Sequence, residues 1–370
     1  MTDGTTDAPF MLGVSGCRGV VGSSLTPGVI VRYAEAFARY VIDESAARAP
    51  SVVVARDGRA GGAPIASLAA SALALHGLRG VDIGVAATPT VGLMVTRLEA
   101  DAGLVVTASH NPAEWNGLKP IDRSGAAVSP ESSRRFVDLF RDTARPTGAS
   151  PAVTDIAFEP GATRTHVSDV IGALRELGPI DAIRGANFRV VVDSVNASGT
   201  DATRLLAEEL GCELVHINDS DSGVFPHAPE PVAENLTQLC EVVREKKAQV
   251  GFAQDPDADR LAIVDENGRY IGEEYTLALC ARSLLSAMDA AQSGSAVIVA
   301  NLSTSRMVED VAAEYGAMVE RSAVGEANVV GLMRARGACL GGEGNGGGVW
   351  PRVVSIRDSV AAMSLVLRLL

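Results

Sequence analysis

The chain has 370 residues, 47% of them hydrophobic, a formal net charge of −13 and a mean hydropathy of +0.18. That length predicts two or three domains, and the acidic balance excludes a nucleic-acid surface, which needs clustered basic residues against the phosphates. The apolar residues come in short bursts, none near the ~20 of a membrane span; the polar stretch Met1–Pro9 lacks the basic and apolar regions of a secretory signal and reads as a disordered leader.

In chain order, the first basic feature is the turn Ser15-Gly16-Cys17-Arg18-Gly19. An unalternating valine run then follows at Val52–Val54, ending in Arg56-Asp57-Gly58. Its β-branched residues suit a strand buried on both faces of a parallel or mixed sheet. A helical segment closes at Gly77, as expected of a residue that accepts positive φ, and a second strand runs from Val81 to Val85. The pattern returns at Val190–Val192, Gly211 and Glu213–Ile217, and again at Val297–Val299, Gly316 and Met318–Arg321. Three βαβ units predict three related α/β domains. We expect boundaries at 1–155, 156–262 and 263–370, the first inside the Pro-, Gly- and Ser-rich linker Thr143–Pro160. The five cysteines are dispersed and odd in number, without a CxxC pair. They read as reduced thiols of a cytoplasmic protein, with Cys17 alone near a candidate site.

Three loops carry chemistry. Thr107-Ala108-Ser109-His110-Asn111-Pro112 follows the strand-like Ala102–Val106, so Ser109 sits where α/β sheets place ligands. The Ser–His pair invites a hydrolase reading, but G-x-S-x-G is missing and adjacent side chains in a loop usually point apart. Alone, the pair reads as a solvated loop. Asp255-Pro256-Asp257-Ala258-Asp259-Arg260 lies between two strand-like runs and offers three hard oxygen ligands to Mg²⁺ or Ca²⁺. An EF-hand is excluded, because Arg260 stands where the turn needs Gly and strands flank the loop. Gly341 to Gly348 matches G-x-G-x-x-G formally, yet no helix follows and no acid lies ~20 residues on. With Glu343 and Asn345 it suits close approach to a polyhydroxylated ligand, or else a flexible linker. Arg18 and Lys119, both in Gly-containing turns, are candidates to supply local cations to a phosphate.

In this order the motifs resemble the α-D-phosphohexomutase family along essentially the whole chain. The resemblance rests on Ser15–Gly19, Thr107–Pro112, Asn116–Lys119, Asp255–Arg260 and Gly342–Gly347. It implies three tandem α/β/α domains with mixed sheets and a fourth, smaller domain that this chain is expected to lack, since no Thr/Ser-Gly-Thr-Glu-Pro-like loop follows Trp350. It also implies that Ser109 carries the phosphoryl group and joins Asp255, Asp257 and Asp259 around Mg²⁺. Arg18 and Arg260 would contact phosphoryl oxygens, His110 and Lys119 would move hydroxyl protons, and Glu343 and Asn345 would hold sugar hydroxyls. The implied reaction passes through a hexose or hexosamine 1,6-bisphosphate, which also serves as activator. Asn345 in place of Ser, Ala323 in place of Lys, Glu114–Asn116 and Tyr270–Tyr275 resemble the phosphoglucosamine mutase branch. This favours glucosamine 6-phosphate, with glucose or mannose phosphate as the alternative. The expected partner is a small sugar phosphate, with no nucleic acid, no membrane, and a monomer or dimer. A shortened chain would turn over poorly or act as a sugar-phosphate-binding module.

Overall fold

The computed structural model of the chain describes residues 8–47, 49–142 and 153–370. Most of the expected leader, and residues 143–152 of the expected linker, lie outside the described residues. The first unit comprises β1 (Phe10–Gly13), β2 (Gly16–Val20), α1 (Pro27–Glu44), β3 (Ser51–Arg56), α2 (Gly62–Leu75), β4 (Arg79–Val85), α3 (Thr88–Arg97), β5 (Ala102–Val106), β6 (Trp115–Asp122), α4 (Pro130–Arg141) and β7 (Ile156–Phe158). The second holds α5 (Ala162–Glu176), α6 (Asp181–Ala186), β8 (Arg189–Asp193), α7 (Gly199–Leu210), β9 (Glu213–Ile217), α8 (Thr237–Lys246), β10 (Val250–Gln254) and β11 (Leu261–Val264). The third holds α9 (Glu274–Ser286), α10 (Ala290–Ser295), β12 (Val297–Asn301), α11 (Met307–Glu314), β13 (Met318–Ser322), α12 (Glu326–Arg336), β14 (Leu340–Glu343), β15 (Gly347–Val349) and α13 (Ser359–Leu369).

The valine runs are strands for the reason their composition gives: both faces are covered. In β3, Val52 and Val54 pack with Tyr33, Phe37 and Leu73, while Val53 and Ala55 pack with Val91, Val95 and Ile356. Polar–apolar alternation is therefore absent, as in any sheet sandwiched between helix layers. The strand–helix–strand units close as parallel pairs β3·β4, β8·β9 and β12·β13. Gly77, Gly211 and Gly316, each at positive φ, end the intervening helices.

One topology is repeated. The strand orders are β4-β3-β5-β6 within the first sheet, β9-β8-β10-β11 in the second and β13-β12-β14-β15 in the third. In each the fourth strand is antiparallel to the third. The first sheet extends this core with β2 and β1 at one edge and β7 at the other. β7 therefore continues the first sheet past residue 155, and β11 continues the second sheet to Val264.

The units share cores. Helix α13, apolar around nearly its whole circumference, is buried in one cluster with α5, α7 and α9. Val354 and Ile356, just before it, pack on α3 of the first unit. At the junction His166 of α5 links Thr90 (2.9 Å) to Asp358 (2.8 Å), the N-cap of α13.

Candidate active site

The repeated topology places three loops equivalently: β5–β6 carries Ser109, β10–β11 carries the aspartates, and β14–β15 carries Asn345 beside Glu343. Each connects the third strand of its sheet to the antiparallel fourth, and the three loops converge.

Ser109 sits at φ 50°, in the left-handed region that a non-glycine residue enters only when its surroundings impose it. The surroundings are a buried ion pair. Arg59, 2% exposed, binds Asp57 at 2.9 Å and donates to the carbonyls of Ser109 (2.5 Å) and Trp115 (2.7 Å). Asp57 also accepts from the Thr107 hydroxyl (2.7 Å), which accepts in turn from the Ser109 amide (2.8 Å). The expectation that neighbouring side chains point apart fails here. The left-handed turn brings Ser109 Oγ to 3.3 Å from His110 Nδ1. Burial, reinforced by Arg260 and Arg18, pulls the His110 imidazole down to about 4, so it is neutral near pH 7.

Asp255, Asp257 and Asp259 are fully buried, with one oxygen of each within 4.8 Å of the others. Asp255 Oδ2 accepts from Ser109 Oγ at 3.1 Å, and its Oδ1 accepts from the amides of Asp259 and Arg260. Asp257 Oδ2 accepts from Thr88 (2.7 Å) and Lys119 (3.2 Å), and Asp259 Oδ2 from Lys119 (2.9 Å) and Arg357 (2.7 Å). Among the described residues the other oxygens of Asp257 and Asp259 have no hydrogen-bond donor, although Arg260 Nε stands 3.9 Å from Asp259 Oδ1. Buried carboxylate oxygens without a donor are costly. Two of them beside Asp255 and a seryl oxygen form an all-oxygen donor set that fits a hard divalent cation such as Mg²⁺.

A cleft of about 230 Å³ adjoins this centre, lined among others by Arg18, Lys119, Arg260, Glu326, Glu343 and Asn345. Ser109, 1% exposed, lies behind that lining rather than in it. Arg18 donates to Asn111 Oδ1 at 3.0 Å, and Arg260 Nε is ion-paired with Asp259 Oδ1 at 3.9 Å without a hydrogen-bond acceptor among the described residues. Arg18 and Lys119 sit not in turns, as their glycine neighbours suggested, but on the paired strands β2 and β6. Burial opposes charge on Lys119, but Asp259, Asp257 and Glu326 outweigh it and hold its pKa above the usual lysine value.

The glycine-rich segment is a hairpin whose Glu343 and Asn345 line the cleft. A Cβ on Gly342 would lie 2.3 Å from the Gly347 carbonyl, and one on Gly347 would lie 2.1 Å from Arg357 Cδ. Protein packing requires these glycines. Glu343 is already engaged: Oε1 accepts from Asn301 (2.8 Å) and the Gly325 amide (3.1 Å), and Oε2 from Arg357 (3.0 Å). Asn345 Oδ1 is buried without a donor among the described residues. Sequence reasoning missed Arg59, Arg357 and Glu326. A polar run at the end of a buried strand was the available signal for Arg59; the other two have none beyond their charge. Cys17, buried within β2 with its thiol pushed up to about 12, is a packing residue, and all five cysteines are unpaired.

The family models described as phosphoglucomutase/phosphomannomutase, alpha/beta/alpha domains I, II and III match residues 10–145, 168–268 and 273–370. A "Probable phosphoglucosamine mutase" of Methanopyrus kandleri is 33% identical over 97% of this chain and 75% of its own length. A "Phosphoglucomutase/phosphomannomutase" of Thermococcus kodakarensis is 32% identical over 97% and 76%. The crystal structure of a phosphoglucomutase/phosphomannomutase family protein from Burkholderia thailandensis superposes with a TM-score of 0.81 at 27% identity, covering 97% of this chain and 77% of that one.

Proposed function

Because the chain belongs to the phosphoglucomutase/phosphomannomutase family, we propose that it moves a phosphoryl group between the 6- and 1-positions of a hexosamine phosphate, glucosamine 6-phosphate above all, using Ser109 as the carrier. The observation that carries this reading is the meeting of Ser109 Oγ with Asp255 beside two carboxylate oxygens that lack donors. In the first step the bond from phosphorus to Ser109 Oγ breaks, and one forms to the sugar hydroxyl. The hydroxyl proton passes to a nearby base, for which neutral His110 is the best placed. The product is a 1,6-bisphosphate. It turns in the cleft and returns its other phosphoryl group to Ser109, so an added bisphosphate also charges a dephosphorylated chain.

Phosphoryl transfer is governed by positioning and charge neutralisation. Mg²⁺ held by Asp255, Asp257, Asp259 and the seryl phosphate would neutralise charge on the transferred group. Arg18 and Arg260 hold phosphoryl oxygens. Lys119 adds positive charge, and the carboxylates that raise its pKa keep its proton in place. Asn345, with its free acceptor, and Glu343 orient sugar hydroxyls. Ser109 is covered, so the surrounding units part before a sugar reaches it.

Turnover on glucosamine 6-phosphate, glucose 6-phosphate and mannose 6-phosphate, each with a trace of the matching 1,6-bisphosphate, tests the proposal. We expect the highest kcat/KM with glucosamine 6-phosphate, and a loss of roughly 100-fold or more in EDTA that Mg²⁺ reverses. A highest kcat/KM on glucose or mannose phosphate would replace the sugar assignment. No turnover on any of the three, or turnover indifferent to EDTA, would refute the mutase reading.

A further inference from the structure

The cleft carries both signs of charge. Arg18 and Arg260 line it, and Arg18 is bonded to Asn111 of the Ser109 loop. Toward the β14–β15 hairpin one guanidinium, that of Arg357, serves three carboxylates: Asp259 at 2.7 Å, Glu326 at 3.0 Å and Glu343 at 3.0 Å. Lys119 is already paired with Asp257 and Asp259. The segment Ser322–Asn328 around Glu326 contains no basic residue.

Glu326 bears the resulting shortage. Its side chain lines the cleft and is 9% exposed; Oε2 meets Arg357, and Oε1 is buried with no hydrogen-bond donor among the described residues. A second orphan acceptor on the same cleft, Asn345 Oδ1, lies on the neighbouring loop. Buried acceptors without donors are rare and costly. Two on one cleft ask for a ligand that brings donors, and one orphan is a carboxylate oxygen, which favours a positively charged donor. A hexosamine phosphate meets both demands, its phosphate matching the arginines and its ammonium the unpartnered carboxylate oxygen.

We infer that Glu326 is the specificity-determining residue, accepting a hydrogen bond from the 2-ammonium group of an amino sugar phosphate and thereby separating it from neutral hexose phosphates. This rests on the mutase reading of the same cleft. It goes beyond that reading by assigning the discrimination to one carboxylate.

Calorimetric titration of the whole chain in Mg²⁺ with glucosamine 6-phosphate, glucose 6-phosphate and N-acetylglucosamine 6-phosphate tests it, the last because acetylation removes the charge. Wild type should bind the amine roughly tenfold or more tighter than the other two, the scale of a charge-assisted hydrogen bond. In Glu326→Gln, which keeps an oxygen for Arg357, that ratio should fall to about 2 or less, mainly through weaker binding of the amine. Wild-type binding that ignores the amine would overturn the inference and leave the mutase reading standing. So would equal losses for all three ligands in Glu326→Gln, since Glu326 would then only position Arg357. Failure of wild type to bind any of the three would overturn both.

Discussion

Removing the Asp255 carboxylate should not destabilise the metal-free protein. Three carboxylates with oxygens within 4.8 Å repel in a buried site, and among the described residues only Asp257 and Asp259 have cationic side chains bound to them. Asp255→Asn should therefore raise Tm in EDTA or leave it unchanged, while abolishing the rise that millimolar Mg²⁺ gives the wild type, measured by thermal unfolding with and without metal. A Tm rise with Mg²⁺ as large in the variant as in wild type would show that the cation binds elsewhere. The serine and the aspartates were legible in the sequence because each group is contiguous and its chemistry is local. Arg59, Arg357 and Glu326 were not, because their roles depend on partners supplied by the fold. Arg59 reaches Ser109 fifty positions on, and Arg357 reaches Asp259 across ninety-eight.

Elements carry the same lesson with the opposite balance. The parallel pairs were readable in the valine runs, because a strand covered on both faces needs no alternation. The β14–β15 hairpin was not, since its glycines look like a flexible loop until Arg357 and the facing carbonyls fill the space where side chains would be. Strand β9 makes its own prediction through His216, whose Nε2 lies 2.8 Å from Ser194 Oγ. Burial pulls its pKa down to about 4, against 6.5 for an ordinary histidine. Between those values the unfolded chain binds a proton that the folded chain refuses, so stability is lost as pH falls through this window. His216→Gln should reduce that loss by on the order of 2 kcal/mol between pH 7 and 4.5, read from urea unfolding at several pH values. His110, shifted in the same direction, keeps a residual slope. An unchanged slope in the variant would mean that His216 titrates normally in the folded protein.

For the whole molecule, the important fact is that one topology occurs three times with its β-hairpin loops turned toward a common centre. The first unit's Thr88 amide and hydroxyl hold Asp257 of the second, and Ser359 of the third donates to the Ala258 carbonyl at 2.7 Å. The aspartate loop is thus gripped from both sides. Three units were legible in the sequence, but their convergence was not, because Thr88, His166 and Ser359 carry no local signal of a contact between units. The arrangement sets the serine of one unit against a group of aspartates, from the next, that could hold a cation. The most direct test of this account is intact-mass analysis of the chain incubated with glucose 1,6-bisphosphate and Mg²⁺. It predicts one added phosphate, mapped to Ser109, that is missing in Ser109→Ala and strongly reduced in EDTA. Equal phosphate uptake by Ser109→Ala would contradict it.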